Sequence, residues 1–408
     1  MKRELIEKYA ELIVTCGANV QKGQSVVIRT NVSQEYLAEI VARKCYEHGA
    51  KRVFVHWQSA KISKVDLLNA KQEDLMHNTP FEIEAYKFMA DELPILIWLD
   101  ADDPDALNGV DQKKYAAIRA SKSKEIFKYR QATENKHQWV IAGCPSKEWA
   151  KKVFPELDEE EAVEKLWEAI LETSRAADGN GIKNWEKHEK DLKSRCNYLN
   201  SLNLRSLHYT SSNGTDLTVG LIPGVIFLGG GESTLSGVFF QPNIPSEECF
   251  TTPMRGKAEG IVYSAKPLAY AGQLIENFWV RFHEGKAVEV GAEKGEEALR
   301  GILTIDEGSA YLGECALVPF DSPINNTGIL FYNTLYDENA SCHLALGRGF
   351  TNLYPNFEKY SDEELESFGI NSSASHVDFM IGSKDLSIVG IDKDGKEIQI
   401  FKDGNWAF

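Results

Sequence analysis

Residues 25–56 read SVVIRTNVSQEYLAEIVARKCYEHGAKRVFVH, and this stretch decides the fold of the first half. Ser25-Val26-Val27-Ile28-Arg29 is a short β-branched run of strand type. Ser33 is placed to cap a helix through Tyr36, Ile40 and Cys45, and Gly49 closes that helix. Arg52-Val53-Phe54-Val55-His56 is the next strand. Strand, helix and strand in this order make a βαβ unit. Upstream, Leu5, Tyr9, Leu12 and Cys16, joined by Ile6 and Ile13, form one helical stripe that Gly17 ends. Downstream, residues 95–99 and 139–142 read as two further strands, with helices predicted around 64–70, 81–90, 110–130 and 159–175. The alternation predicts an α/β N-terminal domain with a mainly parallel sheet covered on both faces.

Past Gly179-Asn180-Gly181 comes one more charged helical stretch, residues 182–202, and then the composition changes. Residues 204–290 are rich in β-branched and aromatic side chains with frequent Gly and Pro, as in Thr215-Asp216-Leu217-Thr218-Val219 and Glu276-Asn277-Phe278-Trp279-Val280-Arg281-Phe282. A helix is predicted over 294–303, and the chain ends in hairpins at 386–391 and 397–401 with turns at Asp394-Gly395 and Asp403-Gly404. The expected division is an N-terminal domain over 1–185 and an α+β, strand-rich domain over 186–408.

A chain of 408 residues is long enough for about two domains. Its 61 acidic residues against 45 basic ones leave a formal charge of −16, without the basic face that nucleic acid requires. Hydrophobic residues at 43% and charged residues at 26% exclude wholesale disorder. The longest apolar run of the first half, 95–99, is far below the ~20 residues of a membrane span. The opening Met1-Lys2-Arg3-Glu4-Leu5 is charged and helical in type, with no signal-peptide core. Cys16, Cys45, Cys144, Cys196, Cys249, Cys315 and Cys342 are scattered, with no C-x-x-C spacing for zinc or redox chemistry. They read as reduced, buried thiols. A soluble cytoplasmic protein that meets neither membrane nor nucleic acid is expected.

Two chemistries fail for want of their motifs. A dinucleotide site needs a glycine-rich turn after a strand, but Arg29-Thr30-Asn31-Val32-Ser33 and His56-Trp57-Gln58-Ser59 contain no glycine, and no P-loop exists. Gly229-Gly230-Gly231-Glu232 reads as a tight bend. A serine or cysteine nucleophile is unsupported, since there is no G-x-S-x-G and Pro145 follows Cys144 directly.

Metal chemistry is better supplied. Divalent ions want carboxylates and imidazoles converging from several segments, and four stretches of the second domain offer them. Asn243-Ile244-Pro245-Ser246-Glu247-Glu248-Cys249-Phe250 carries adjacent acids in a proline-marked loop, although Ser246 before two acids also resembles a helix N-terminus. Tyr311-Leu312-Gly313-Glu314-Cys315-Ala316-Leu317-Val318 sets Glu314 inside an apolar strand, where a buried acid must be paired or ligated. Asp337-Glu338-Asn339-Ala340-Ser341-Cys342-His343 sets Glu338 five residues before His343; solvated acids and a core histidine are the ordinary alternative. His376-Val377-Asp378 puts two ligand types on one strand face, able to hold the same or adjoining ions.

These same residues, with Ala345-Leu346-Gly347-Arg348, carry a resemblance to the aminopeptidase T/aminopeptidase S family of metallopeptidases that spans the chain. The resemblance implies a dimeric exopeptidase that removes N-terminal residues from peptides with a free amine, using two divalent ions such as cobalt, zinc, magnesium or manganese. It implies Glu248, Glu314, Glu338, His343, His376 and Asp378 as ligands, with Glu314 shared by both ions. It also implies a catalytic tyrosine after the His343 motif. Phe350 takes that place if no gap is allowed, and a two-residue insertion brings Tyr354 to it instead. Chemistry at such a site would use a water made nucleophilic by the ions, with the substrate amine held at one of them. Glu247, next to a ligand but not one itself, is the candidate general base, and Tyr354 the donor to the oxyanion. The first domain is expected to form the dimer contact or to limit access to the site. The alternatives are a catalytically idle, metal-stabilised scaffold or peptide-binding protein, and a nucleotide- or sugar-handling enzyme working through the first domain.

Overall fold

The computed structural model describes residues 3–408, so Met1 and Lys2 of the expected N-terminal helix lie outside the described residues. The chain divides into two compact units. One holds the residues up to Glu186 together with Gly231–Pro245, and the other holds Lys187–Gly230 and Ser246–Phe408. The 231–245 excursion puts a second stretch of chain into the first unit.

The first unit is built on β1 (Ser25–Asn31), β2 (Arg52–Gln58), β3 (Ile95–Asp100), β4 (Trp139–Gly143) and the short β5 (Asn243–Ile244). They lie in the order β2-β1-β3-β4-β5, every pair parallel. The mainly parallel sheet read from the sequence is therefore present, and the excursion supplies its last strand. In β1 the β-branched run buries Val26 and Ile28, while helix Glu35–Glu47 buries Leu37, Ile40, Val41 and Cys45 from one stripe. The first helix differs in detail. Its α-helical part is Arg3–Leu12, and it ends in a π-turn over Ile13–Gly17 in which Ala18 N donates to Ile13 O at 2.7 Å. Among the described residues no helix is long and apolar enough to cross a membrane.

The second unit is strand-rich, as its composition indicates. One antiparallel sheet has eight strands, in the order Lys286–Gly291, Trp279–His283, Pro253–Tyr263, Asp216–Leu221, Leu204–Thr210, Ser387–Asp392, Glu397–Lys402 and Asn405–Trp406. A four-stranded antiparallel sheet is formed by β6 (Cys249–Thr251), β7 (Leu312–Leu317), β8 (His343–Gly347) and β9 (His376–Met380), in that order. One hydrophobic core joins the two sheets. Leu207, Tyr209, Leu217 and Val219 of the larger sheet share it with Cys315, Leu317, Leu344, Leu346, Val377 and Phe379 of the smaller. Strand periodicity of two then sends the intervening residues, Glu314, His343, His376 and Asp378, to the opposite face of the small sheet. Burial of the apolar set against the larger sheet thus fixes which residues converge on the far side.

Candidate metal centre

Register sets the layout of that far face. Ala345 of β8 stands opposite Glu314 on one side and Asp378 on the other, His343 stands opposite Ala316, and His376 opposite Gly347. Each ligand-type side chain therefore has a small neighbour across the ladder, which leaves room between the acids. The β7–β8 register slips between Leu312 and Glu314. The bulge there occurs at Gly313, whose missing side chain admits the Arg348 carbonyl: a Cβ at this position would lie 2.1 Å from that oxygen.

The carbonyl has a use. Arg348 O lies 2.7 Å from His376 Nδ1, and because a carbonyl only accepts, Nδ1 carries the proton and Nε2 is left to face the acids. Nε2 of His376 lies 3.0 Å from Glu314 Oε2 and 3.2 Å from Asp378 Oδ1. On the other side, His343 Nε2 lies 3.4 Å from Glu248 Oε2 and 4.0 Å from Glu314 Oε1. Glu314 thus reaches in both directions, one oxygen to each imidazole. Two ligand groups result, Glu248–Glu314–His343 and Glu314–His376–Asp378, each with its donor atoms within 4.8 Å of one another.

Charge in this cluster is out of balance. Glu314 is pushed up to about 7, first by burial and then by Asp378 and Glu248, against the bond from His376. Burial, followed by Asp378 and Glu248, drives the Glu338 carboxyl well above its ordinary value; His343 and Glu314 are its other electrostatic neighbours, so Glu338 joins the cluster. Burial disfavours the His343 imidazolium, yet Glu248, Glu314 and Asp378 outweigh it and bring the group up to about 10. His376 is raised against the same burial effect, chiefly by Asp378, whose own carboxyl His376 lowers despite burial. Six acids and imidazoles gathered in this way call for positive charge among them. Divalent ions suit the donor set, which mixes carboxylate oxygens and imidazole nitrogens. Asp378 Oδ1 points the same way: it is buried without a hydrogen-bond partner, with His376 Nε2 3.2 Å away. His376 keeps 27% of its side chain exposed, whereas His343 keeps 1%, so the cluster opens on the His376 side.

The structure therefore brings together Glu248, Glu314, Glu338, His343, His376 and Asp378. Glu247 and Tyr354 make other contacts. Glu247 is buried with its carboxylate 3.8 Å from His188 Nε2, which itself lies 2.7 Å from the Ser246 carbonyl. The 246–248 stretch is not a helix N-terminus, since β5 and β6 flank it. Tyr354 stacks on Phe368 at 5.0 Å, in a small apolar cluster with Ile222, Leu365 and Ile370. Phe350 is the aromatic beside the site, its ring 5.1 Å from that of His376. Asp337, next to Glu338, turns away and accepts the Phe331 and Asn333 N–H groups at 2.8 and 3.0 Å. Sequence reasoning missed Gly313, Ala345, His188 and the Arg348 carbonyl; only Gly313, a glycine inside an apolar strand, left a signal that marks a bulge.

Comparison with known proteins finds relatives among metallopeptidases. A family model described as thermophilic metalloprotease (M29) matches residues 2–406. Aminopeptidase AmpS of Bacillus subtilis (strain 168) is 42% identical over 404 residues, covering 99% of this chain and 98% of its own. Aminopeptidase T of Thermus thermophilus is 38% identical over 408 residues, covering 100% and 99%. The solved structure of wild-type AmpT from Thermus thermophilus superimposes with a TM-score of 0.91 at 36% identity, covering all of both chains.

Proposed function

Because the chain belongs to the thermophilic metalloprotease (M29) family and is a metal-dependent aminopeptidase, we propose that it removes the N-terminal residue of peptides at a two-ion centre bridged by Glu314. The observation that carries the reading is Glu314 itself, with one carboxylate oxygen toward His343, the other toward His376, and a place in both ligand groups. In this reading Glu248, Glu338 and His343 complete one side and His376 and Asp378 the other. When bound, divalent ions supply Lewis acidity toward the scissile carbonyl and bring the pKa of an attacking water toward neutrality. The chain's own residues do the rest. Glu314 would offer one carboxylate oxygen to each cation, and the His376 Nδ1–H bond to Arg348 keeps its Nε2 aimed inward. A free α-amine could be received at one of the two ions, whereas an internal residue offers none, and that difference would account for exopeptidase action.

The same reading assigns proton transfer to Glu247 and hydrogen-bond donation to Tyr354. Geometry supports these two less directly than the six ligands, since Glu247 is turned to His188 and Tyr354 to Phe368. Cobalt or zinc is assigned to the site from its imidazole content, with magnesium or manganese as the hard-ion alternatives. The seven free cysteines agree with a cytoplasmic setting. A homodimer through the first unit is part of the reading as well. Helix Ala60–Asn69 buries none of its side chains and exposes Ile62 (63%), Val65 (54%) and Leu68 (53%) at spacings of three. Charging this stripe in Ile62→Asp and Leu68→Asp is expected to dissociate the dimer in sedimentation. Assay of Leu-p-nitroanilide and of its N-acetylated form tests the activity: the free amine is cleaved, chelation stops the reaction, and cobalt or zinc restores it. Equal hydrolysis of the blocked substrate, or full activity after chelation, contradicts the reading. Tight metal binding with no release of amino acid would favour the idle scaffold instead.

A further inference from the structure

Four of the cluster's side chains, Glu314, His343, His376 and Asp378, are held by strands β7, β8 and β9, whose ladders fix their spacing. Glu248 and Glu338 have no such support. Glu248 lies in the stretch before β6, and Glu338 ends the single-turn helix Thr334–Glu338. One side chain ties these two segments together. Asn339 is fully buried, at 0% exposure. Its Oδ1 accepts the N–H of Glu247 at 2.8 Å, while its Nδ2 donates to the Leu335 carbonyl at 2.9 Å and to Glu338 Oε1 at 3.4 Å.

We infer that Asn339 is a positioning residue for the metal centre: it sets the distance between the Glu248 and Glu338 carboxylates by clasping the peptide before one and the side chain of the other. The inference rests on the reading of Glu248 and Glu338 as ligands. An amide is the group that fits, because it presents an acceptor and two donors from one rigid plane. Oδ1 is taken by the Ser246–Glu247 peptide, one residue before Glu248, and one Nδ2 hydrogen caps the helix at Leu335. The other reaches Glu338 Oε1 and leaves the second oxygen of that carboxylate unused by Asn339. Asn339 touches neither substrate nor reacting atoms and acts wholly through its neighbours. Partners of this kind typically govern metal affinity by tenfold to a hundredfold.

The test is a cobalt titration of metal-free protein, followed by calorimetry and by the visible absorption of bound Co(II), with thermal melting of the metal-free form alongside. Asn339→Ala is expected to weaken binding of at least one cobalt by ten- to a hundredfold and to alter the cobalt absorption bands. Asn339→Ser keeps an oxygen near the Glu247 amide but nothing in reach of Glu338, and should shift the midpoint the same way by a smaller factor. Asn200→Ala is the control. That side chain makes a similar clasp in the same unit, bonding the Phe227 carbonyl at 3.0 Å and N–H at 2.7 Å rather than the side chain of a ligand residue. It should lower the melting temperature and leave the cobalt midpoint in place. A folded Asn339 variant with a midpoint within twofold of wild type overturns the inference. So does an equal shift in Asn200→Ala, or failure of both Asn339 variants to fold, which would assign the residue to the scaffold. Wild-type protein that takes up fewer than two cobalt ions contradicts the underlying two-ion reading, and this is seen before any variant is made.

Discussion

Gly313→Ala is the smallest change that should cripple the centre without touching a ligand. The added Cβ would stand 2.1 Å from Arg348 O and 2.5 Å from Gly347 O, whereas such contacts are essentially never closer than 3.0 Å. Backbone is on both sides of the clash, so the Arg348 carbonyl must retreat by about 1 Å. From 2.7 Å, that motion takes the His376 Nδ1–H bond beyond hydrogen-bonding range. The bond itself is worth ~1 kcal/mol of stability. Loss of the orientation of His376 adds a further factor of about 10–100 in metal affinity, or ~1.4–2.7 kcal/mol. Calorimetric cobalt titration reads the second quantity and thermal melting the first. Gly301→Ala provides the contrast: its Cβ meets nothing within 4 Å inside helix Glu296–Ile302, and alanine should stabilise that helix by up to ~1 kcal/mol. If Gly313→Ala binds cobalt and cleaves substrate as well as Gly301→Ala does, the orienting role given to the Arg348 carbonyl is wrong.

Three further outcomes follow from the site. Glu314→Gln should abolish cobalt binding at both positions and all activity, while Glu248→Gln keeps one ion; dialysis with metal analysis separates the two cases, and retention of an ion by Glu314→Gln would refute the bridging role. In chelated protein, stability should fall as pH rises. Glu314, raised to about 7, contributes fully below 4.5 and loses that contribution as pH climbs through 7, and His343, raised to about 10, contributes fully below 6.5 and loses it through 10. Urea unfolding at pH 6, 8 and 10 should show this slope, and cobalt should flatten it; a chelated protein equally stable at pH 6 and pH 10 contradicts the charge balance described. Tyr354→Phe should slow turnover with cobalt still bound, and full activity would mean that no hydroxyl on this loop meets the oxyanion, leaving Phe350 as the aromatic at the site.

Much of this was legible from the amino-acid order because local chemistry and final environment agree. Strand β1 buries alternate residues of its β-branched run, and the strand–helix alternation leaves few options for a sheet of parallel strands. Glu314 announced itself as an acid among apolar neighbours, and His376 with Asp378 by their spacing of two. What stayed hidden depends on distant partners. The 231–245 excursion reads like any glycine-rich connection, although Asn243 and Ile244 pair with Ile141 and Ala142. The two side-chain groups of Asn339 are used by Glu247 and Glu338, and nothing beside Asn339 in the chain points to residue 247. Tyr354 and Phe350 are both aromatic and four residues apart, so only packing distinguishes the one on Phe368 from the one on His376. The π-turn at Ile13–Gly17 lies on the same stripe as the helix it extends, and a periodicity of three to four cannot register it.

Anomalous scattering from crystals grown with cobalt would locate the ions themselves. Two cobalt peaks per chain are expected, about 3.5–4 Å apart, with one Glu314 oxygen on each, Glu248 and His343 on the first and His376 and Asp378 on the second. A single peak, or a pair of which Glu314 touches one or neither, contradicts the bridged two-ion centre.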